Sequence, residues 1–400
     1  MVRSFVLLGG LWGLSAPRPY TAPTASGSGK CAIVRSKAAG KAASANMIID
    51  TDIHPVPVHE QVAEYLAEPW RSRYLRGDRG AGHPNYFNPN GVMRGDALTE
   101  DGRRIERAPD TMARYFLDEY AIDYAIMNPA EAMEHCVSPD AHYSAAALSA
   151  VNEHFVQDWL PADPRYLASI TIAFSNIELA VKEIHRLGEH PRVVQVLMAS
   201  GSPFPLGHSY FHPIYAAAAD HDLPVAIHPG LEGVGIAGSG GTAGMVANYL
   251  EWHTLLATSY MTQLVSLVVE GVFELFPSLR FVLVEGGVAW LPALMWRLDK
   301  NWKALRSTTP WLTRKPSEII QEHIRLTTQP IEEPEDKRHF HQTLEMFAAE
   351  RMLMFSSDYP HWDGDTPDFA MRQLAPELRE AVMYRNALDV FNLEARANGS

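Results

Sequence analysis

The sequence predicts an α/β fold, a (β/α)8 barrel with a long insertion between its first strand and first helix. Over residues 47–400, eight short apolar runs rich in β-branched residues alternate with helical stretches, the pattern of repeated βα units. Four of those runs end in acids or histidines, and a barrel keeps its chemistry at the carboxyl ends of its strands. No Gly-rich phosphate fingerprint follows the first run, which weakens the doubly wound alternative.

The first strand is read from Ile48 to His54. A long polar segment follows, about residues 55–110, including Pro84-Asn85-Tyr86-Phe87-Asn88-Pro89-Asn90-Gly91; such loops are usually lids or binding loops. A helix over Thr111 to Tyr120, with Asp110 as its N-cap, leads to strand two, Tyr124 to Met127. A helix over Ala141 to Leu160 precedes strand three, Tyr166 to Ile172, and the amphipathic stretch Ile177 to Leu187 precedes strand four, Val193 to Met198. Strand five, Val225 to His228, follows a helix over Pro213 to His221. The Gly-rich loop Gly230 to Gly244 then opens a long helical region, about Met245 to Phe276. Strand six is Phe281 to Glu285, and a helix over Leu291 to Leu305 precedes strand seven, Ile324 to Thr327. Strand eight is Met352 to Phe355, with final helices over about Pro367 to Leu393.

Residues 1–46 read differently. They hold six basic residues and no acid, leaving 28 basic against 47 acidic residues in the remainder. Ser4 to Leu14, behind Arg3, resembles the h-region of a signal peptide, and the Ser/Ala/Gly/Pro stretch after it reads as disordered. The favoured alternative is a start at Met47, immediately before the first strand. The two cysteines, Cys31 and Cys136, form no CxxC or Cys/His array, so neither a disulfide framework nor a thiolate zinc site is expected. The expected location is cytoplasmic, with secretion or targeting only if the N-terminal extension is genuine. A net charge of −13 without a basic stripe argues against nucleic-acid binding. No stretch predicts a membrane span, and the segment near the N-terminus is too short and Gly-rich for one.

On a strand, Asp50, Asp52 and His54 face one way, which in a barrel is inward. Such a set is costly without a cation or hydrogen-bonding partners, and both readings stand. His228 ends strand five, Glu285 ends strand six before Gly286-Gly287, and Asp358 follows strand eight in Ser357-Asp358-Tyr359-Pro360. Singly, each has an ordinary explanation: a core histidine, a turn element, a cap. Together they are explained economically by metal ligation, since a barrel gathers these ends. Glu285 is read as a ligand, a proton carrier or a turn element. Asp358, Glu285, His253 and His361 are the candidate catalytic groups, with Asp363 beside His361. Arg94 and Arg297 are candidate carboxylate binders; Arg71, Arg73 and Arg94, in the long first loop, are either a carboxylate clamp or solvated charges, the second being the favoured reading for any one of them. For Arg297, placed in Arg297-Leu298-Asp299 on a helix, a structural salt bridge is the favoured alternative. Gly238, Gly240 and Gly241 suggest a mobile lid, and Trp290, Trp296 and Trp302 suggest packing.

These residues resemble the amidohydrolase-related branch of the amidohydrolase superfamily, which includes aminocarboxymuconate-semialdehyde decarboxylase and γ-resorcylate decarboxylase. The likeness spans residues 47–400. It rests on Asp50-Thr51-Asp52-Ile53-His54, His228, Glu285-Gly286-Gly287 with Trp290-Leu291-Pro292 and Arg297-Leu298-Asp299, and Asp358. It implies a barrel, one divalent metal ion and decarboxylase or hydrolase chemistry. The implied ligands are Asp52, His54, His228 and Asp358. Two positions depart from the family pattern: Asp52 stands where many members carry a first histidine, and Glu285 where many carry a strand-six histidine. An oxygen-rich set lets Mn²⁺ or Mg²⁺ compete with Zn²⁺.

The expected activity is metal-dependent, non-oxidative decarboxylation of a small aromatic or unsaturated carboxylic acid. Hydrolysis of an amide, lactone or ester at the same site is the alternative, and a non-catalytic binding scaffold the third reading. A homodimer is the expected assembly.

Overall fold

Eight parallel strands follow one another around a barrel in chain order: β1 Ile49–Ile53, β2 Tyr124–Met127, β3 Tyr166–Thr171, β4 Val193–Ala199, β5 Val225–His228, β6 Phe281–Leu283, β7 Ile324–Thr327 and β8 Leu353–Met354. The structure, a computed structural model, describes residues 47–78, 86, 88, 91, 93–239 and 244–398. The N-terminal extension, Gly240, Gly241 and most of the Pro84 to Gly91 motif lie outside the described residues.

The strands are apolar because both faces are covered, by helices outside and by strand side chains inside. Nearly every strand residue is buried, and Ile227 pairs with Leu283, Leu283 with Leu326, and Leu326 with Leu353 in register. Backbone bonds close the seam between β8 and β1: Thr51 N to Phe355 O (3.1 Å), Asp358 N to Asp52 O (3.1 Å) and His54 N to Tyr359 O (2.8 Å). The expected barrel is therefore the fold.

Several boundaries differ from the sequence reading, each for a local reason. β6 stops at Leu283 because Glu285 takes a left-handed backbone (φ 57°). β8 is only two residues long because Phe355 turns its N–H to Val382 O, outside the barrel ladder. The helix expected at Thr111 starts at Pro109, so Asp110 lies inside it; Ala108 is the cap residue, and Pro109 supplies a preset φ. The helical region from Met245 to Phe276 is three helices, Tyr249–Thr254, Leu256–Val269 and Val272–Leu275. The last break falls at Gly271, whose φ of 75° suits glycine. The first insertion is not plain loop: it holds helices His59–Glu64 and Trp70–Leu75. Among the described residues, no helix is long and apolar enough to cross a membrane.

Candidate metal centre

β1 presents three buried polar side chains, and the structure separates their roles. Oδ1 of Asp50 accepts the backbone N–H groups of Ser357 (3.0 Å) and Asp52 (3.2 Å), a structural link across the seam. Burial, only partly offset by those bonds, pushes its pKa up to about 7. Asp52 and His54 instead join His228, Glu285 and Asp358. One ligand atom from each of these five buried residues lies within 4.8 Å of all the others.

The histidines are oriented for this. Nδ1 of His54 lies 2.6 Å from the carbonyl oxygen of Asn128, and Nδ1 of His228 lies 3.0 Å from that of Pro229. A carbonyl only accepts, so both Nδ1 atoms carry protons and both rings offer Nε2 to the cluster. Nε2 of His54 lies 2.6 Å from Oδ1 of Asp358 and 3.5 Å from Oδ1 of Asp52. Nε2 of His228 lies 3.2 Å from Oε2 of Glu285 and 3.9 Å from Oδ2 of Asp52.

Three buried carboxylates and two imidazoles at this density call for positive charge. Burial would depress His54, but Asp52 and Asp358 outweigh it and raise its pKa well above the ordinary value. Burial would raise Asp358, yet His361 and His54 hold it well below the usual carboxylate range. Glu285 is raised, first by burial and then by the charge of Asp358. Asp52 Oδ2, His228 Nε2 and Asp358 Oδ2 are buried without a hydrogen-bond partner. Orphaned acceptors converging on one point fit a divalent cation.

Local structure fixes these groups. Glu285 and Asp358 both adopt φ of 57°, an uncommon backbone for residues with side chains that concentrates at functional sites. After Glu285, a Cβ on Gly286 would meet the Tyr260 ring at 2.9 Å, and one on Gly287 (φ 64°) would meet Glu332 Oε1 at 2.8 Å. The Tyr260 hydroxyl in turn donates to the carbonyls of Val284 and Ile227, clamping the ends of β5 and β6.

The amidohydrolase family model matches residues 49–393. This chain belongs to that family. No curated protein sequence matches it. Among solved structures, it is similar to an amidohydrolase from Mycobacterium avium subsp. paratuberculosis K-10, with a TM-score of 0.65 and 20% identity over 87% of this chain and 99% of that one. It is also similar to 5-carboxyvanillate decarboxylase from Novosphingobium aromaticivorans DSM 12444, complexed with manganese and 4-hydroxy-3-methoxy-5-nitrobenzoic acid (TM-score 0.64, 16% identity, 87% and 97% covered). A third is dihydroxybenzoic acid decarboxylase from Polaromonas sp. JS666 with bound manganese and 2-nitroresorcinol (TM-score 0.60, 17% identity, 87% and 98% covered). At these identities the likeness establishes the fold.

The other sequence candidates fall in different places. His361 stacks on His54 (4.4 Å between centroids) and sets Nδ1 2.8 Å from Asp358 Oδ1. His253 reaches Asp363 Oδ2 at 3.2 Å from the helix Tyr249–Thr254. Arg94 is paired with Asp96, which engages its guanidinium at Nε (2.9 Å) and Nη2 (2.7 Å). Arg297 is exposed on the helix Leu291–Leu305, and no ion pair links it to the cluster among the described residues. Its neighbour Asp299 accepts from the N–H (3.0 Å) and hydroxyl (2.7 Å) of Ser317. Arg73 is spent on Asp78 and Asp140, and Arg71 is exposed. Trp290 packs as expected, donating to Gly286 O (2.8 Å), whereas Trp296 is 59% exposed.

Sequence reasoning missed Asn128. Its Nδ2–H donates to Asp52 Oδ1 (2.8 Å), its carbonyl holds His54, and its Oδ1 accepts from Ser169 Oγ (2.7 Å) and Gln195 Nε2 (2.9 Å). The signal was present, since Asn128 follows β2 at its carboxyl end, but attention to acids and histidines passed over an amide.

Proposed function

We propose that this chain is a metal-dependent, non-oxidative decarboxylase of a small aromatic or unsaturated carboxylic acid. The observation that carries the proposal is the five-residue cluster with its three orphaned acceptors. The fold it shares with manganese-bound aromatic-acid decarboxylases supports the choice of reaction.

Asp52, His54, His228 and Asp358 would hold the ion, and Glu285, inside the same 4.8 Å cluster, adds a fifth donor. A bound divalent cation would supply Lewis-acid polarisation of a substrate carboxylate or hydroxyl oxygen. His361 fixes Asp358, and Asn128 fixes Asp52 and His54, so these donors keep their orientation without rearranging. Proton delivery does not suit Asp358, which His361 and His54 keep ionised, nor a Glu285 committed to the cluster. The proton must come from a group beside it.

The experiment is incubation of manganese-loaded protein with hydroxybenzoate-type, vanillate-type and muconate-type acids. The expected result is CO2 release matched by product and abolished by chelation. No CO2 from any member of such a panel would sink the reading.

Hydrolysis is the second reading, favoured by one feature: the unpartnered Oδ2 of Asp358 lies buried in the cluster, where it could accept a proton from water. Incorporation of ¹⁸O from labelled water into product would select it.

A further inference from the structure

We infer that His253, held by an Asp363 that Gln329 anchors, is the acid–base residue that exchanges a proton with a substrate seated on the five-residue cluster. This rests on the decarboxylase reading above and names the group that reading lacks. The imidazoles nearest the cluster serve the cluster itself. His54 and His228 give Nδ1–H to carbonyls and turn Nε2 inward, and His361 sets Nδ1 on Asp358, a member of the cluster, while stacking on His54.

His253 is arranged differently. Its Nε2 meets a carboxylate outside the cluster, Asp363, and its Nδ1 has no hydrogen-bond partner among the described residues. Asp363 is itself anchored: Gln329, fully buried after β7, donates Nε2–H to Asp363 Oδ2 (3.0 Å) and to its backbone carbonyl (3.4 Å). A carboxylate-backed imidazole with one free nitrogen is a general acid–base arrangement.

The carrier helix supports the same role. Tyr249–Thr254 has no buried residue, so it is not fixed by core packing. It is tied to the loop after β8 through His253–Asp363 and through the Trp362 indole N–H, which donates to the Tyr249 hydroxyl (3.0 Å). The Tyr249 ring stacks on His253 at 5.4 Å and 21°. Asp363 meets His253 at 3.2 Å, and Tyr249 stacks on it from its own helix. Burial opposes a charged ring, but Asp363, with the more remote charges of Glu285 and Asp358, outweighs it and favours an imidazolium able to give up a proton; burial pushes Tyr249 up to about 12 so that it stays neutral.

In the reaction, the bond from the substrate carbon to its carboxylate breaks. The electron pair stays on the carbon and CO2 departs. The imidazolium proton of His253 then forms the new C–H bond, and the neutral ring regains a proton from water.

The test is histidine ¹⁵N NMR on zinc-loaded protein, with kinetics beside it. Zinc is expected to freeze the titration of His54 and His228 while His253 still titrates. Asp363→Asn should lower the His253 midpoint by about one pH unit, and Asp363→Glu should restore part of it. A His253 signal frozen by zinc, or a midpoint indifferent to Asp363→Asn, overturns the inference. On any acid the wild type converts, His253→Gln should lower kcat by about 100-fold, leave KM within about twofold, and remove one limb of the kcat pH profile. An unchanged kcat overturns it as well. A wild type that converts no acid removes the decarboxylase reading, and the titration still decides the dyad.

Discussion

Nε2 of His54 lies 2.6 Å from Oδ1 of Asp358, joining residues 304 positions apart across the seam where β8 meets β1. The same oxygen receives His361 at 2.8 Å. One carboxylate thus closes the barrel's mouth and anchors two imidazoles, while its second oxygen stays unpartnered and buried. Removing that carboxylate should disturb ion binding before it disturbs the fold.

Purified protein should therefore carry about one divalent ion per chain. The Asp358→Ala/His228→Ala double variant should lose nearly all of it. Elemental analysis after dialysis measures the ion, and circular dichroism checks that the variant is folded. Full metal retention in a folded double variant would remove these residues from the ligand set.

Asn128→Ala should weaken metal binding by roughly 10–100-fold, the usual cost of deleting a group that orients a ligand. It frees Asp52 Oδ1 and strands Ser169 and Gln195 in the barrel interior. Competition with a chromogenic chelator gives the affinity. A wild-type affinity would show that Asn128 only fills space.

Asp365 is half-buried, and burial, followed by the charges of Glu333, Asp363 and Asp358, pushes its pKa up to about 7. A carboxyl raised in the fold binds more protons there than in the unfolded chain, so its charge costs stability as pH rises from about 4 to 7. Asp365→Asn should stabilise the protein at pH 8, on the order of 2 kcal/mol after discounting for solvent screening. It should change nothing below pH 4. Denaturant melts at the two pH values provide the comparison, and equal shifts at both would contradict the assignment.

His135 behaves with the opposite sign. Burial pushes it down to about 4, and its Nδ1 is buried without a partner. The unfolded chain binds the extra proton between roughly pH 6.5 and 4, so stability falls as the medium is acidified through that window. The loss attributable to His135 should reach about 3 kcal/mol at most. His135→Gln should flatten that part of the stability–pH curve. An unaltered slope would mean that the ring is already charged in the fold.

Much of this was legible in the sequence. Alternating apolar runs and helices specify a parallel barrel because strands buried on both faces must be apolar throughout. Strand-end residues are legible for the same reason: an acid or histidine closing such a run stands out from it. Asp52, His54, His228, Glu285 and Asp358 were all found in this way. Their convergence was not legible, because it depends on strand register, on the seam bonds of Thr51, His54 and Asp358, and on the left-handed backbones of Glu285 and Asp358. Arginine partners were not legible either. The charge of Arg94 is visible in the chain, but its engagement by Asp96 is a matter of geometry. Sequence alone marked the acids and histidines near the strand ends, since covalent order and periodicity place those ends to within a few residues. Tertiary structure alone decided which of their atoms meet, because angstrom-scale contacts between distant segments are set by packing.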